Sequence, residues 1–113
     1  MTDFLQMRKH LLELEELERQ KYYKSAWEKA RAVAAMLKHK YRVDKVYVYG
    51  SLAWGWFQKQ SDIDLFLIGF KGDYWKALGD AEDISSPIEI SLVCTEDAFD
   101  SLQKKVLERG IEL

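Results

Sequence analysis

The chain has 113 residues, 48% apolar and 32% charged, which suffices for one compact core and is too little for two ordinary domains. The net charge of −2 is unevenly spread: residues 1–48 carry eleven Lys or Arg against seven Asp or Glu, and residues 49–113 carry six against twelve. A lone cysteine, Cys94, excludes an internal disulfide and suits a reducing cytoplasm. The opening residues lack the pattern of a signal peptide, and no apolar run is long enough to span a bilayer.

In chain order, Phe4, Met7, Leu11 and Leu14 recur at spacings of three and four, which predicts a helix over residues 3–21 with Thr2 or Asp3 as its N-cap. Leu5, Leu12 and Leu17 widen the stripe, so this helix is expected to serve as an interface element, including for a homodimer. A second helix is expected from Tyr22 to Tyr41, with one long bent helix as the alternative because no Gly or Pro separates the two. Residues 22–113 form the expected core of a single domain.

After Arg42 the period becomes two, predicting a strand from Val43 to Tyr49 that ends at Gly50-Ser51. A short helix over 51–57 and the polar turn 58–61 lead to a strand over 62–68. A helix over 73–83 follows, with Asp73 as cap, then a strand over 88–94 after Pro87. The final helix is expected over 96–109, with Thr95 as its cap and Gly110 closing it. The order ααβαβαβα predicts a small α/β or α+β domain, with a mixed sheet of about three strands flanked by helices.

Three segments carry the candidate chemistry. Side chains alternate along a strand, so Asp62 and Asp64 share a face and set two carboxylates side by side, which calls for a compensating cation. Mg2+ prefers oxygen ligands and keeps several waters, so one or two carboxylates and substrate phosphates complete its shell. Glu89 is the lone acid in the third strand. If that strand neighbours the second, Glu89 completes a three-carboxylate cluster for two metals or acts as a general base. Gly50-Ser51 supplies a close backbone approach and free amides at a helix start, which favour phosphate.

Gly50-Ser51-Leu52-Ala53-Trp54-Gly55 and Ser61-Asp62-Ile63-Asp64-Leu65 together resemble the signature of the minimal nucleotidyltransferases, within the superfamily that includes DNA polymerase beta. The resemblance covers about residues 30–113 and implies the polymerase-beta-like nucleotidyltransferase fold. It implies Gly50, Ser51, Lys59 and Ser61 at a nucleoside triphosphate, ATP being expected, and Asp62, Asp64 and Glu89 as catalytic acids and Mg2+ ligands. It further implies transfer of a nucleoside monophosphate, AMP being expected, to a protein or small-molecule hydroxyl, and a separate HEPN-type helical protein as toxin partner. Two positions depart from the pattern: Trp54 stands where Arg is usual, leaving Lys59 as a substitute cation, and Glu89 stands where Asp is more frequent.

Competing readings follow from the same residues. A catalytically weak module would neutralise the helical partner by contact alone. The small basic run Lys38, His39, Lys40 and Arg42 suits a solvated helix end as well as it suits RNA, so nucleic acid is not the expected partner. His10 and His39 lack ligand-spaced neighbours for zinc, and Trp54, Trp56, Phe57, Tyr74 and Trp75 are expected to pack rather than stack on a base.

Overall fold

The computed structural model describes residues 3–113, so the alternative of Thr2 as N-cap lies outside the described residues. The elements are α1 (Phe4–Lys40), β1 (Lys45–Tyr49), α2 (Ser51–Trp54), β2 (Ile63–Ile68), α3 (Tyr74–Ser85), β3 (Ile90–Cys94), a 3-10 turn (Thr95–Asp97), α4 (Asp100–Arg109) and β4 (Ile111–Glu112).

The two helices expected at the start are one unbroken helix of 37 residues, α1. Nothing between Lys21 and Tyr22 removes a hydrogen-bond donor or adds backbone freedom, so the ladder continues through the change in amphipathic face. Asp3 caps it by accepting from the Leu5 amide at 3.1 Å. At the other end the Tyr41 and Val43 amides both donate to the Leu37 carbonyl, with Arg42 at φ 58° turning the chain out of the helix.

The sheet has four strands in the order β3-β2-β1-β4, one more than expected. β1 pairs antiparallel with both β2 and β4, and β2 pairs parallel with β3 through the α3 crossover. The extra strand follows Gly110, where a Cβ would overlap the Val106 carbonyl and stand 3.1 Å from that of Val48. The Leu113 amide then donates to the Val46 carbonyl at 2.9 Å.

One face of the sheet packs against α1 and α3. Val46, Val48, Ile63, Leu65, Leu67 and Leu92 meet Ala26, Ala30, Val33 and Leu37 of α1 and Ala77 and Ala81 of α3 in one buried cluster. The alanines allow close approach of helix to sheet, and burial of this apolar area is the main stabilising term. α1 and α3 are also clasped at their polar edge, where Asp80 accepts from Lys40 at 2.7 Å and from the Tyr41 hydroxyl. On the opposite face Phe66 and, on α4, Val106 are fully buried outside that cluster.

Several boundaries differ from expectation: β1 starts at Lys45 and not at Val43, α2 ends at Trp54 and not at Phe57, and β2 starts at Ile63 and not at Asp62. β3 starts at Ile90 and not at Ile88, so Glu89 precedes the strand. The last α-helix starts at Asp100 after Phe99, because the Thr95 hydroxyl donates to the Leu67 carbonyl at 2.9 Å and opens a 3-10 turn. Gly110 does close α4, its amide donating to the Val106 carbonyl, but at φ −72°. Among the described residues no helix is long and apolar enough to cross a membrane.

Candidate active site

The site is built where β1 ends and β2 begins. β1 runs into Gly50, whose φ of 74° and ψ of −152° lie in a region essentially reserved for glycine. The missing side chain matters for a second reason: a Cβ on Gly50 would collide with an Asp64 carboxylate oxygen. Gly50 thus lets the chain turn tightly over Asp64 and hand on to Ser51, the first residue of α2, whose opening amides have no intrahelical acceptor.

Asp64 sits in a row across the sheet, paired with Tyr49 of β1 on one side and with Ser91 of β3 on the other. Paired residues point to the same face, so Tyr49, Asp64 and Ser91 line the face opposite the main core, beside the Tyr47, Phe66 and Val93 row. Asp62 precedes Asp64 by two positions and points the same way. Asp64 is half-buried while Asp62 is exposed. Burial, reinforced by the nearby charge of Asp62, pushes the Asp64 carboxyl up from 3.8 to about 6. Burial and the Asp64 charge also push the Tyr49 hydroxyl up to about 12, so Tyr49 keeps its proton at neutral pH.

Neither Asp62 nor Asp64 forms an ion pair among the described residues. Two carboxylates on one face, one of them half-buried and facing a glycine cradle, are a donor set that fits a hard divalent cation such as Mg2+. The third acid is placed differently from the three-carboxylate expectation. The Ile63 amide donates to the Glu89 carbonyl at 2.9 Å, a bond of the Ile63–Ile90 pair that opens the parallel ladder, and Glu89 lies ahead of β3 with Asp62 at the exposed rim. Ser91, not Glu89, is the neighbour of Asp64. Among the described residues no three His, Cys, Asp or Glu side chains gather closely enough to hold an ion.

Glu89 and Asp62 instead share a polar rim pocket with Tyr22, Lys59, Ser61 and Pro87, about 230 Å³ in volume. Lys59 and Ser61 belong to a tight turn: the Gln58 amide donates to the Ser61 hydroxyl at 3.0 Å, and the Ser61 amide donates to the Gln58 carbonyl at 2.9 Å. Tyr22 of α1 fixes this turn, its hydroxyl donating to the Lys59 carbonyl at 3.0 Å while its ring stacks on buried Phe57 at 5.5 Å. Trp54 faces elsewhere. Its indole donates to the Arg109 carbonyl at 3.3 Å and lies 4.6 Å beneath the Lys105 ammonium, docking α2 on α4.

Tyr49, Ser91 and Tyr22 were not singled out from the sequence as site residues. Tyr49 directly precedes Gly50, a position readable as the strand end nearest the site. The roles of Ser91 and Tyr22 depend on a register and a helix contact that local periodicity does not encode.

A family model described as "Polymerase beta, Nucleotidyltransferase" matches residues 31–113. No match is found among curated proteins. Among solved structures, a toxin-antitoxin with AMP-PNP is similar in fold, with a TM-score of 0.60 and 20% identity over 72% of this chain and 69% of that one. A mutant of the toxin-antitoxin MntA-HpeT gives a TM-score of 0.59 and 16% identity, over 74% of this chain and 70% of that one.

Proposed function

The chain belongs to the polymerase beta nucleotidyltransferase family, and from that premise we propose that it transfers AMP from magnesium-bound ATP to a hydroxyl of a separate helical protein, a HEPN-type toxin, in the manner of an antitoxin. The observation that carries this reading is the half-buried Asp64, which has no ion-pair partner among the described residues and lies on the same face as Asp62 and against the glycine turn Gly50. Burial and the charge of Asp62 disfavour ionisation of the Asp64 carboxyl, a cost that a bound cation would offset. The adenine nucleotide of one fold neighbour and the toxin-antitoxin character of both support the choice of substrate and partner.

In this reading Asp62 and Asp64 hold Mg2+, which when bound supplies charge neutralisation at the phosphates and acidifies the acceptor hydroxyl. The amides of Gly50-Ser51 and the Ser51 hydroxyl receive the triphosphate, while Lys59 and Ser61 approach it from the rim. Glu89, at the same rim as Asp62, takes the proton of the acceptor hydroxyl as its oxygen bonds to the α-phosphorus. The bond from that phosphorus to the bridging oxygen breaks, and pyrophosphate leaves.

A second reading is favoured by Trp54, whose indole is committed to α4, so the position offers no positive charge to phosphate. In that reading the protein masks its toxin without modifying it. Intact-mass analysis of the candidate partner after incubation with MgATP separates the two. An AMP adduct that disappears in the Asp62→Ala, Asp64→Ala double variant supports transfer; neutralisation of the toxin with no adduct at any time supports masking.

A further inference from the structure

The first half of α1 is an exposed amphipathic rod. Every residue from Asp3 to Lys21 is exposed, and the body of the domain first buries α1 at Ala26. Phe4 is 73% exposed and Leu11 57%, with Met7 and Leu14 also exposed between and after them. Gln6, Lys9, Glu13, Glu16 and Gln20 recur at the same spacings along the opposite side. An apolar seam of this kind, standing in water on a helix already fixed at its other end, needs a cover.

We infer that the cover is a second copy of this chain, the two α1 helices pairing as a parallel, in-register coiled coil through Phe4, Met7, Leu11 and Leu14. The four residues follow the alternating three-and-four spacing of a two-stranded seam, so each meets its own counterpart in four apolar layers over roughly 15 Å. Charge selects the orientation. In the parallel pair His10 of each copy flanks Glu15 of the other. An antiparallel pair that keeps all four layers apolar would set Arg8 against Arg8 and His10 against His10. The seam turns polar at Glu18 and Lys21, which ends the contact before the bodies of the domains begin. It also points at least about a quarter turn away from the face on which Ala26, Ala30, Val33 and Leu37 pack, so the two bodies fall on opposite sides of the coil. The inference is independent of the transfer reaction and of the toxin.

Sedimentation of the full chain at tens of micromolar is expected to give twice the mass of one chain, and the Leu11→Glu, Leu14→Glu double variant half that. The variant should keep the thermal midpoint of its body and its circular-dichroism signal, because both side chains are solvent-exposed in the single chain. Met7→Cys should form an intermolecular disulfide under mild oxidation much faster than Lys9→Cys on the polar side, native Cys94 being buried. A wild-type chain that stays monomeric, including one whose seam is covered only when another protein is added, overturns the inference. So does a dimer that survives the double variant, or equal cross-linking at positions 7 and 9.

Discussion

Gly50 lies so close over the Asp64 carboxylate that a single methyl group on it would occupy the space of a carboxylate oxygen. The two residues are one device: the turn that frees the backbone amides for a ligand also covers the acid proposed to hold the cation. Gly50→Ala must therefore leave a backbone region that only glycine favours and also displace Asp64. Destabilisation of about 1–3 kcal/mol is expected, read as a lower thermal midpoint, together with loss of MgATP binding by calorimetry. Retention of wild-type affinity would separate the turn from the site.

The position of Asp64 also sets a pH dependence for the metal-free protein. Its carboxyl is raised from 3.8 to about 6, first by burial and then by Asp62. The fold thus binds this proton more tightly than the unfolded chain does. The contribution to stability is fully present below the ordinary value and is lost as pH rises through about 6. With chelator present, the thermal midpoint of Asp64→Asn should gain on that of wild type as pH climbs through this window. Mg2+ should narrow the gap at neutral pH by compensating the carboxylate. A gap that does not change with pH would show that Asp64 is not strained by its surroundings.

Trp54 yields a prediction about docking rather than catalysis. Its indole joins the Arg109 carbonyl, the Lys105 ammonium and the edge of Trp56, whose ring centroid is 6.2 Å away. Trp54→Ala should cost about 1–2 kcal/mol by loosening α2 from α4, and Trp54→Arg should lose stability similarly while adding a cation beside the phosphate turn. If Trp54→Arg also speeds AMP transfer, the indole is what limits turnover; if only the thermal midpoint moves, the position is structural in this chain.

Elements whose cause is local were legible in the sequence, and those set by long-range pairing were not. The period-two run ending at Gly50 and the Asp62-Ile63-Asp64 alternation announce β1 and β2, because each apolar side chain must turn to the core. Of the two readings of the first forty residues, two helices or one long helix, the single helix is observed: the change of apolar face near Tyr22 marks where the domain begins, and a helix can cross that point without a break. β4 is two residues long, too short for any period, and exists because β1 offers a free edge. Asp62 and Asp64 are readable as a pair, whereas the place of Glu89 is not: β2 and β3 are adjacent, as that reading required, but the register pairs Asp64 with Ser91, two residues beyond Glu89.

That register makes Ser91 the position at which a third acid would count. Ser91 is half-buried and pairs directly with Asp64, so Ser91→Asp brings a third carboxylate onto the face that Asp62 and Asp64 share. Without metal, the added like charge should lower stability above about pH 6, where Asp64 ionises. With Mg2+ or Mn2+ the same charge becomes a ligand, and divalent affinity should rise roughly tenfold, equivalent to about 1.4 kcal/mol. Glu89→Gln, altering an exposed rim residue, should leave that affinity within about a factor of two, since rim charges act weakly across water, while slowing AMP transfer if Glu89 accepts the proton. Calorimetric titration of divalent cations into the three proteins tests the geometry without requiring turnover. Tighter binding in Ser91→Asp and little change in Glu89→Gln would assign the ion to the Asp64 row, whereas the opposite ranking would move it to the rim beside Asp62.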